Sequence, residues 1–234
     1  SIVSLAHETK QGRLPADIQD ATADRRFFPC SKEQVPSLVV QWVEQALERG
    51  YTIDDVQVLA PMYKGVAGVD RLNEELQQAV NPRHPSKREL SWNNVVYRIG
   101  DKVLQLSNHP EEPVYNGDIG KVIAVGDTNE DQGICLWVRF DSTEVGYTRK
   151  QLNQLSLAYC TSIHKAQGSE FPIVVLPIVR AYRRMLQRNL VYTAVTRAKS
   201  YLMLCGELQA LADGVGKVGG FERNSHLRRR LNGE

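Results

Sequence analysis

Hydrophobic residues recur at helical spacing in the first third of the chain and then form a short uninterrupted run. Residues 35–50, VPSLVVQWVEQALERG, predict a helix that ends near Gly50. Its apolar stripe consists of Leu38, Val39, Trp42, Val43, Ala46 and Leu47. The run VQVLAP then predicts a strand, and residues 61–80 predict a loop followed by a second helix. Open α/β sheets place ligand-contacting residues in such loops, so Tyr63 and Lys64 are candidates, although an ordinary loop with a solvated lysine fits equally well.

The pattern changes between about Ser91 and Gln151, where short β-type runs show frequent alternation of apolar and polar positions. Three turn signals separate these runs: Asn116-Gly117-Asp118, Asp127-Thr128-Asn129 and Asp141-Ser142. The pattern predicts a small antiparallel β-barrel. Because α/β patterns lie on both sides of it, we expect an inserted barrel domain at residues 91–151. The surrounding α/β domain is then discontinuous and comprises residues 1–90 and 152–234.

Polar residues are concentrated between two apolar strand-like runs in residues 155–179, LSLAYCTSIHKAQGSEFPIVVLPIV. In such a loop, backbone N–H groups can bind a phosphate, hydroxyl and imidazole groups can contact a nucleic-acid backbone, and a carboxylate can bind a ribose. A single histidine or glutamate in a loop is more often solvated than functional, so the loop alone does not establish a binding site. The residues concerned are Thr161, Ser162, His164, Lys165, Gln167, Gly168, Ser169 and Glu170.

A second polar group follows in residues 188–206, RNLVYTAVTRAKSYLMLCG. The apolar positions predict a helix followed by a strand, and Arg197 lies between the two. A fixed guanidinium at a sheet edge is suited to stabilising the charge that builds on a transferring phosphoryl group. Taken alone, Arg197 fits a surface ion pair at least as well as it fits this role.

Composition excludes several classes of protein. The 234 residues are 42% hydrophobic and carry a formal net charge of +2, which suits a folded domain rather than a strongly basic nucleic-acid binder. No apolar run reaches the roughly 20 residues of a membrane span. Four separated cysteines without a CxxC pair predict reduced core thiols, so we expect a soluble, cytoplasmic protein. The sequence contains no GxxxxGK(S/T) loop, so this chain cannot cradle a triphosphate by itself.

These segments together resemble the RecD-like DNA helicases of superfamily 1, the exodeoxyribonuclease V alpha-subunit type. AYCTSIHKAQGSEFPIVV is similar to motif V, and NLVYTAVTRAKSYLMLCG to motif VI. VLAPMYKGVAGVDRLNEELQ resembles the segment before the inserted domain, and IGDKVLQLSN with VYNGDIGKV resembles the SH3-like insertion. The blocks occur in the family's order and cover essentially the whole chain. The resemblance implies an α/β fold: a RecA-like (P-loop NTPase-like) motor domain without its own P-loop, with an inserted small SH3-like β-barrel.

The resemblance also implies roles for individual residues. Arg197 corresponds to the arginine finger of motif VI and is the candidate catalytic residue. The candidate ATP-binding residues are Gln167, Gly168 and Glu170. The candidate residues for binding single-stranded DNA are Tyr63, Lys64, Thr161, Ser162 and His164. ATP with Mg²⁺ is expected to bind mainly to an N-terminal motor domain that is missing from this sequence, and neither a metal nor a cofactor is expected to bind to these residues alone.

The function implied is that of the C-terminal motor part of an ATP-dependent DNA helicase. Its partners are single-stranded DNA and the missing N-terminal motor domain, and recombination-complex subunits are further candidates. The helix predicted at Ile2 has no visible cap, which suggests a segment that starts within a longer protein. A non-catalytic DNA-binding or docking module of a recombination or exonuclease complex is the alternative. A nuclease is disfavoured because no cluster of metal-binding carboxylates is evident.

The predicted barrel offers another surface on which DNA could lie. Basic and aromatic residues alternate along its strands, and they fit a DNA-binding face and a scattered soluble surface equally well. They are Tyr97, Arg98, Lys102, Arg139, Tyr147, Arg149 and Lys150.

Overall fold

The computed structural model describes residues 1–126 and 133–217, which form a mixed α/β structure with two five-stranded sheets. The helices in these residues are α1 (Ile2–Lys10), α2 (Val35–Glu48), α3 (Val69–Val80), α4 (Arg188–Val195) and α5 (Leu208–Gly216). The strands are β1 (Arg25–Pro29), β2 (Val56–Ala60), β3 (Glu89–Trp92), β4 (Val95–Arg98), β5 (Lys102–Gln105), β6 (Ile119–Val125), β7 (Ile134–Phe140), β8 (Thr143–Thr148), β9 (Leu155–Leu157), β10 (Cys160–Ser162), β11 (Phe171–Ile178) and β12 (Ala198–Gly206). None of the described helices has the length and hydrophobicity of a membrane span.

The first sheet is parallel and has the strand order β1-β12-β11-β2-β10. Its strands β2 and β11 are mainly apolar and almost fully buried, as is usual for parallel strands covered by helices. Because every pair is parallel, all five carboxyl ends lie at one edge, which we call the carboxyl edge, and the opposite one is the amino edge. The helix and strand predicted at residues 35–60 are confirmed, and Val39, Trp42 and Val43 of α2 are buried as expected.

The second sheet is antiparallel, with the order β8-β7-β6-β5-β9, and a separate hairpin is formed by β3 and β4. Gly117 has a positive φ of 105°, which confirms the turn predicted at Asn116-Gly117-Asp118. The turn predicted at Asp127-Thr128-Asn129 lies outside the described residues. The division of the chain into domains at residues 91 and 151 stays a prediction.

A buried polar junction connects α3, the hairpin and the segment between β9 and β10. The Asp101 carboxylate accepts hydrogen bonds from Gln77 Nε2 at 2.6 Å, Asn81 Nδ2 at 2.7 Å, the Arg98 backbone N–H at 2.7 Å and the Tyr159 hydroxyl at 2.9 Å. Burial raises the pKa of Asp101, while these hydrogen bonds act in the opposite direction. The junction therefore satisfies a buried carboxylate from several elements at once.

Lys102 crosses from the antiparallel sheet to the α/β part next to this junction. Its ammonium group donates hydrogen bonds to the backbone carbonyls of Ile53 at 3.0 Å and Val56 at 3.1 Å. Burial lowers the pKa of Lys102 from 10.5 to about 8. Its side chain therefore links the two sheets.

The sequence LSLAYC forms two strands where we predicted one. β9 pairs with β5 in the antiparallel sheet, whereas β10 pairs with β2 in the parallel sheet. The chain changes sheets at Ala158, whose N–H donates to the Lys102 carbonyl at 2.8 Å. The physical reason is that the apolar residues on either side of Ala158 are buried in different sheets.

Four of the seven barrel residues that we considered for a basic DNA-binding face are buried and cannot contribute to one. Tyr97, Arg98, Lys102 and Tyr147 are all 4% exposed or less. Arg139 is exposed, but its guanidinium is paired with Glu144 at 2.7 Å.

The first helix has a cap, although the sequence predicted none. The Ser1 hydroxyl accepts a hydrogen bond from the Ser4 N–H at 3.2 Å and caps α1.

Candidate functional site

The loop between β10 and β11, residues 163–170, carries most of the candidate residues and is anchored at its start. The Ser162 carbonyl accepts hydrogen bonds from the backbone N–H groups of Lys165 at 3.0 Å and Ala166 at 3.2 Å. Ile163 and Ala166 are buried and attach the loop to the core. The exposed residues of the loop are His164, Gln167, Gly168 and Glu170.

Gly168 gives this loop its backbone turn. Its φ of +88° lies in the left-handed region, which favours glycine. No atom lies within 4 Å of the position that a Cβ would take at Gly168. The requirement for glycine is therefore conformational, and the space beside the backbone is open to a ligand.

Arg197 follows α4, and three hydrogen bonds fix its guanidinium group. Nε donates to the Thr193 carbonyl at 3.0 Å, Nη1 to the Ser169 carbonyl at 2.9 Å, and Nη2 to the Thr196 hydroxyl at 3.1 Å. The guanidinium has five N–H groups in total, so two of them have no partner among the described residues. Arg197 is thus held against the end of the loop with donors still free.

Glu170 lies at the same end of the loop and has only a weak ion pair. Its carboxylate is 3.7 Å from Lys199 Nζ, and both side chains are more than half exposed. Exposed pairs of this kind contribute little to stability. The Glu170 carboxylate is therefore accessible to another hydrogen-bond donor.

The loop spans the parallel sheet from one edge to the other. It leaves β10 at the carboxyl edge and enters β11 at the amino edge, where the Phe171 N–H donates to the Arg197 carbonyl at 2.9 Å. Glu170 and Arg197 consequently lie at the amino edge, whereas Thr161 and Ser162 lie towards the carboxyl edge. Glu170 and Arg197 are therefore separated in space from Thr161 and Ser162, but one short loop joins the two groups.

A cavity of about 620 Å³ brings together four of the five residues predicted to contact DNA. Tyr63, Lys64, Thr161 and Ser162 all line it, and α3 and the hairpin form its other walls. Tyr63 is 50% exposed. Lys64 forms an ion pair with Asp70 at 2.7 Å, and this hydrogen bond and charge raise the pKa of Lys64. The lysine charge is therefore partly balanced.

The Thr161 and Ser162 side chains in this cavity are nearly inaccessible. Thr161 is 4% exposed and Ser162 is 5% exposed. Thr161 Oγ1 accepts a hydrogen bond from the buried Gln57 Nε2 at 3.3 Å. These residues lie at the base of the cavity, where they position the start of the loop.

His164 lies apart from those four residues and shares a smaller cavity with Gln167. This cavity has a volume of about 300 Å³ and is closed on the other side by residues around the start of α4, including Met185 and Asn189. A residue predicted to bind DNA and one predicted to bind ATP therefore line the same cavity.

Several residues of the site are held by contacts that the sequence did not reveal. Ser169 and Thr193 hold Arg197 through their backbone carbonyls, which carry no sequence signature. Lys165 Nζ donates to Asn116 Oδ1 at 2.7 Å and thereby joins the loop to the barrel. No group of side chains suited to binding a metal occurs in residues 1–126 and 133–217.

Two family models match the regions described above. The model for the ATP-dependent RecD-like DNA helicase SH3 domain matches residues 72–140, and the model for the UvrD-like helicase C-terminal domain matches residues 157–205. The ATP-dependent RecD2 DNA helicase of Deinococcus radiodurans is 39% identical over 155 residues. The matched regions of this chain are therefore similar to those of RecD-like DNA helicases.

The curated RecD-like relatives are much longer than the region that this chain matches. The Deinococcus radiodurans match covers 66% of this chain and 20% of the relative. The RecBCD enzyme subunit RecD of Mycolicibacterium smegmatis is 30% identical over 155 residues, a match that covers 66% of this chain and 26% of the relative. The chain thus spans about a fifth to a quarter of the length of these relatives.

Solved structures of helicases share the fold of this chain. The Pif1 helicase from Candida albicans aligns with a TM-score of 0.54 and 16% identity, over 98% of this chain and 57% of that chain. The Bacteroides Pif1 helicase in complex with ADP-AlF3 and ssDNA also aligns with a TM-score of 0.54, at 14% identity, over 100% of this chain and 54% of that chain. The predicted fold class, an α/β RecA-like fold with an SH3-like domain, is confirmed.

Proposed function

We propose that this chain is the motor part of an ATP-dependent DNA helicase that supplies the arginine finger and part of the single-stranded DNA track. The observation that carries the proposal is the geometry of Arg197. Its guanidinium is fixed by three hydrogen bonds and keeps two N–H groups without a partner in the described part of the chain, at the amino edge of the parallel sheet. A preorganised cation of this kind is suited to stabilising negative charge on a γ-phosphoryl group.

The residues at this edge fit one side of a nucleotide site. Gly168 leaves open space beside the loop backbone, and Glu170 has an accessible carboxylate for a ribose hydroxyl. Gln167 is exposed in the same loop. Because the sequence contains no GxxxxGK(S/T) loop, the phosphates and Mg²⁺ must be held mainly by another motor domain. ATP, when bound there, supplies the free energy of hydrolysis, and this chain alone is expected to be inactive.

The DNA track in this proposal follows the carboxyl edge. Tyr63 offers an exposed aromatic ring on which a base can stack, and Lys64 offers a positive charge beside it. His164 is exposed, whereas Thr161 and Ser162 contribute from the base of the cavity. Since one loop connects this edge to Arg197, a change in the contacts of Arg197 can alter the grip on DNA.

The proposal includes the barrel and the partners of the whole protein. We assign residues 91–151 to an inserted barrel within a motor domain of residues 1–90 and 152–234, which strands β5 to β8 support. The partners are single-stranded DNA and a motor domain that carries the P-loop. Several relatives are named RecBCD enzyme subunit RecD, which supports recombination-complex subunits as further partners.

Replacing Arg197 in the full-length protein tests the proposal. We expect Arg197→Ala to lower ATP turnover by at least about 100-fold, on the order of 3 kcal/mol, because the developing charge loses its cation. Arg197→Lys should recover little, since lysine cannot reproduce the planar fork. Turnover is measured with and without single-stranded DNA, and the melting temperature is recorded for each variant.

The control for this experiment is Arg139→Ala, which removes an exposed arginine that is paired with Glu144 on the barrel. It should retain ATP turnover. Near-normal turnover by Arg197→Ala, with the fold intact, would show that Arg197 only anchors the loop and would contradict the finger role.

A further inference from the structure

The segment between β11 and α4 presents three arginines on one face. Two backbone hydrogen bonds give it helical turns, from the Arg183 N–H to the Arg180 carbonyl at 3.0 Å and from the Leu186 N–H to the Tyr182 carbonyl at 2.9 Å. Tyr182 and Leu186 are at most 2% exposed and fix the segment to the core. Arg180, Arg183 and Arg184 are exposed and have the i, i+3, i+4 spacing of one helical face. We call these three residues the arginine face.

The guanidinium groups of the arginine face have no hydrogen-bond or ion-pair partner among the described residues. Like charges at this spacing repel one another, so the cluster is unfavourable within the chain itself. Lys217 adds to it, because its ammonium group donates to the Arg183 carbonyl at 2.6 Å. The whole chain has a formal net charge of only +2, so the positive charge is concentrated locally. A polyanionic ligand would offset the repulsion.

A cavity of about 790 Å³ lies beside the arginine face at the carboxyl ends of β1, β11 and β12. All three arginines and Lys32 line it, whereas its only acidic lining residues are Glu33 and Glu207. Glu33 already pairs with Lys32 at 3.7 Å, and Glu207 accepts a hydrogen bond from the Arg180 backbone N–H. The cavity is therefore open to anions.

The arginine face is continuous with the residues predicted to contact DNA. Met185 lines both its cavity and the smaller cavity that contains His164. Met62 also lines the cavity of the arginine face and directly precedes Tyr63 in the chain. One surface thus runs along the carboxyl edge from Lys32 to His164.

We propose that the arginine face binds the sugar-phosphate backbone of single-stranded DNA and extends the track along the carboxyl edge. This inference rests on the proposed function for the identity of the polyanion. Arginine suits the task because its planar fork matches two phosphate oxygens. Contacts to phosphate fix the position of the strand without reading its sequence.

The test measures DNA binding by the full-length protein as a function of salt. Fluorescence anisotropy with labelled oligo(dT) of roughly 20 nucleotides covers the whole proposed track. For single strands the slope of log K against log salt is about −0.7 per phosphate contact, so Arg183→Ala with Arg184→Ala should reduce its magnitude by about 1.4. We expect affinity at low salt to fall roughly tenfold. The double variant Arg183→Lys with Arg184→Lys should keep most of the slope, because it keeps both positive charges.

A double variant of Arg49→Ala with Arg139→Ala removes the same charge from other exposed positions and is the control. Arg49 follows the end of α2 and therefore lies towards the amino edge. If the two alanine double variants bind oligo(dT) equally well, the arginine face serves another partner, such as an acidic protein segment, and the inference is wrong. In that case the proposed function stands on the Arg197 result. If the wild-type protein does not bind oligo(dT), both the inference and the proposed DNA track fail.

Discussion

The junction around Asp101 and the loop between β10 and β11 are both rich in polar residues, but they use them in opposite ways. Asp101 is fully buried and accepts four hydrogen bonds. His164 and Gln167 in the loop are exposed, and their side chains have no hydrogen-bond partner among the described residues. Internal partners therefore occupy the polar groups of the junction, whereas the His164 and Gln167 side chains of the loop have none among the described residues and can contact a ligand.

The difference follows from the free energy of desolvation. A buried polar group without a partner costs about 1 to 3 kcal/mol, and more if it is charged, so burial requires internal partners. An exposed side chain keeps its water and can exchange it for a ligand. We therefore expect changes in the junction to affect stability and changes in the loop to affect binding.

The largest predicted effect on stability is that of Asp101→Ala. The variant leaves Gln77, Asn81 and the Tyr159 hydroxyl without their buried acceptor, so the free energy of unfolding should fall by about 3 to 5 kcal/mol. Urea denaturation measures the free energy of unfolding of each protein. The control is Asp20→Ala at an exposed position, which should change stability by less than about 0.5 kcal/mol. Equal stabilities of the two variants would remove the distinction between junction and surface.

Lys102 allows the junction to be tested by pH. Burial lowers the pKa of Lys102 from 10.5 to about 8 in the folded chain. Between these values the unfolded chain holds the proton and the folded chain does not. The contribution of Lys102 to the free energy of unfolding therefore rises with pH through this window, by up to roughly 3 kcal/mol.

The measurement compares wild type with Lys102→Met at pH 7 and pH 10. Buried tyrosines and cysteines also titrate on unfolding at high pH, but they affect both proteins alike. The stability of wild type relative to Lys102→Met should increase between the two pH values. A difference that stays constant would mean that Lys102 keeps its ordinary pKa in the fold.

The elements that the sequence predicted well are those with strong local periodicity. The stripe of α2 faces the core as expected, with Val39, Trp42 and Val43 buried. In α1 the pattern predicts an apolar face of Ile2, Val3, Leu5 and Ala6, but Val3 is 77% exposed, so this part of the prediction is wrong. Periodicity defines the apolar face of a long helix well. In a short helix, an error of one position in assigning that face changes which side chains are expected to be buried.

Contacts between distant segments could not be predicted in this way. Asp101 and Tyr159 are 58 positions apart, and the sequence gives no sign that they meet. The same holds for the carbonyl of Ser169, which binds Arg197 from 28 positions away. The motifs indicated which residues matter in the candidate site, whereas the way in which each is held depends on tertiary packing.

The smallest predicted effect is that of His164→Ala, and it tests the loop side of the comparison. Because His164 is exposed and has no internal partner among the described residues, its removal should leave stability unchanged. Binding of oligo(dT) should weaken by about fivefold, roughly 1 kcal/mol, as one contact of the track is lost. Nucleotide binding should change less. His84→Ala, at an exposed position before the hairpin, is the matched control. If both histidine variants bind DNA like wild type, His164 is a surface residue; if His164→Ala instead destabilises the fold, the loop resembles the junction and its polar residues are structural.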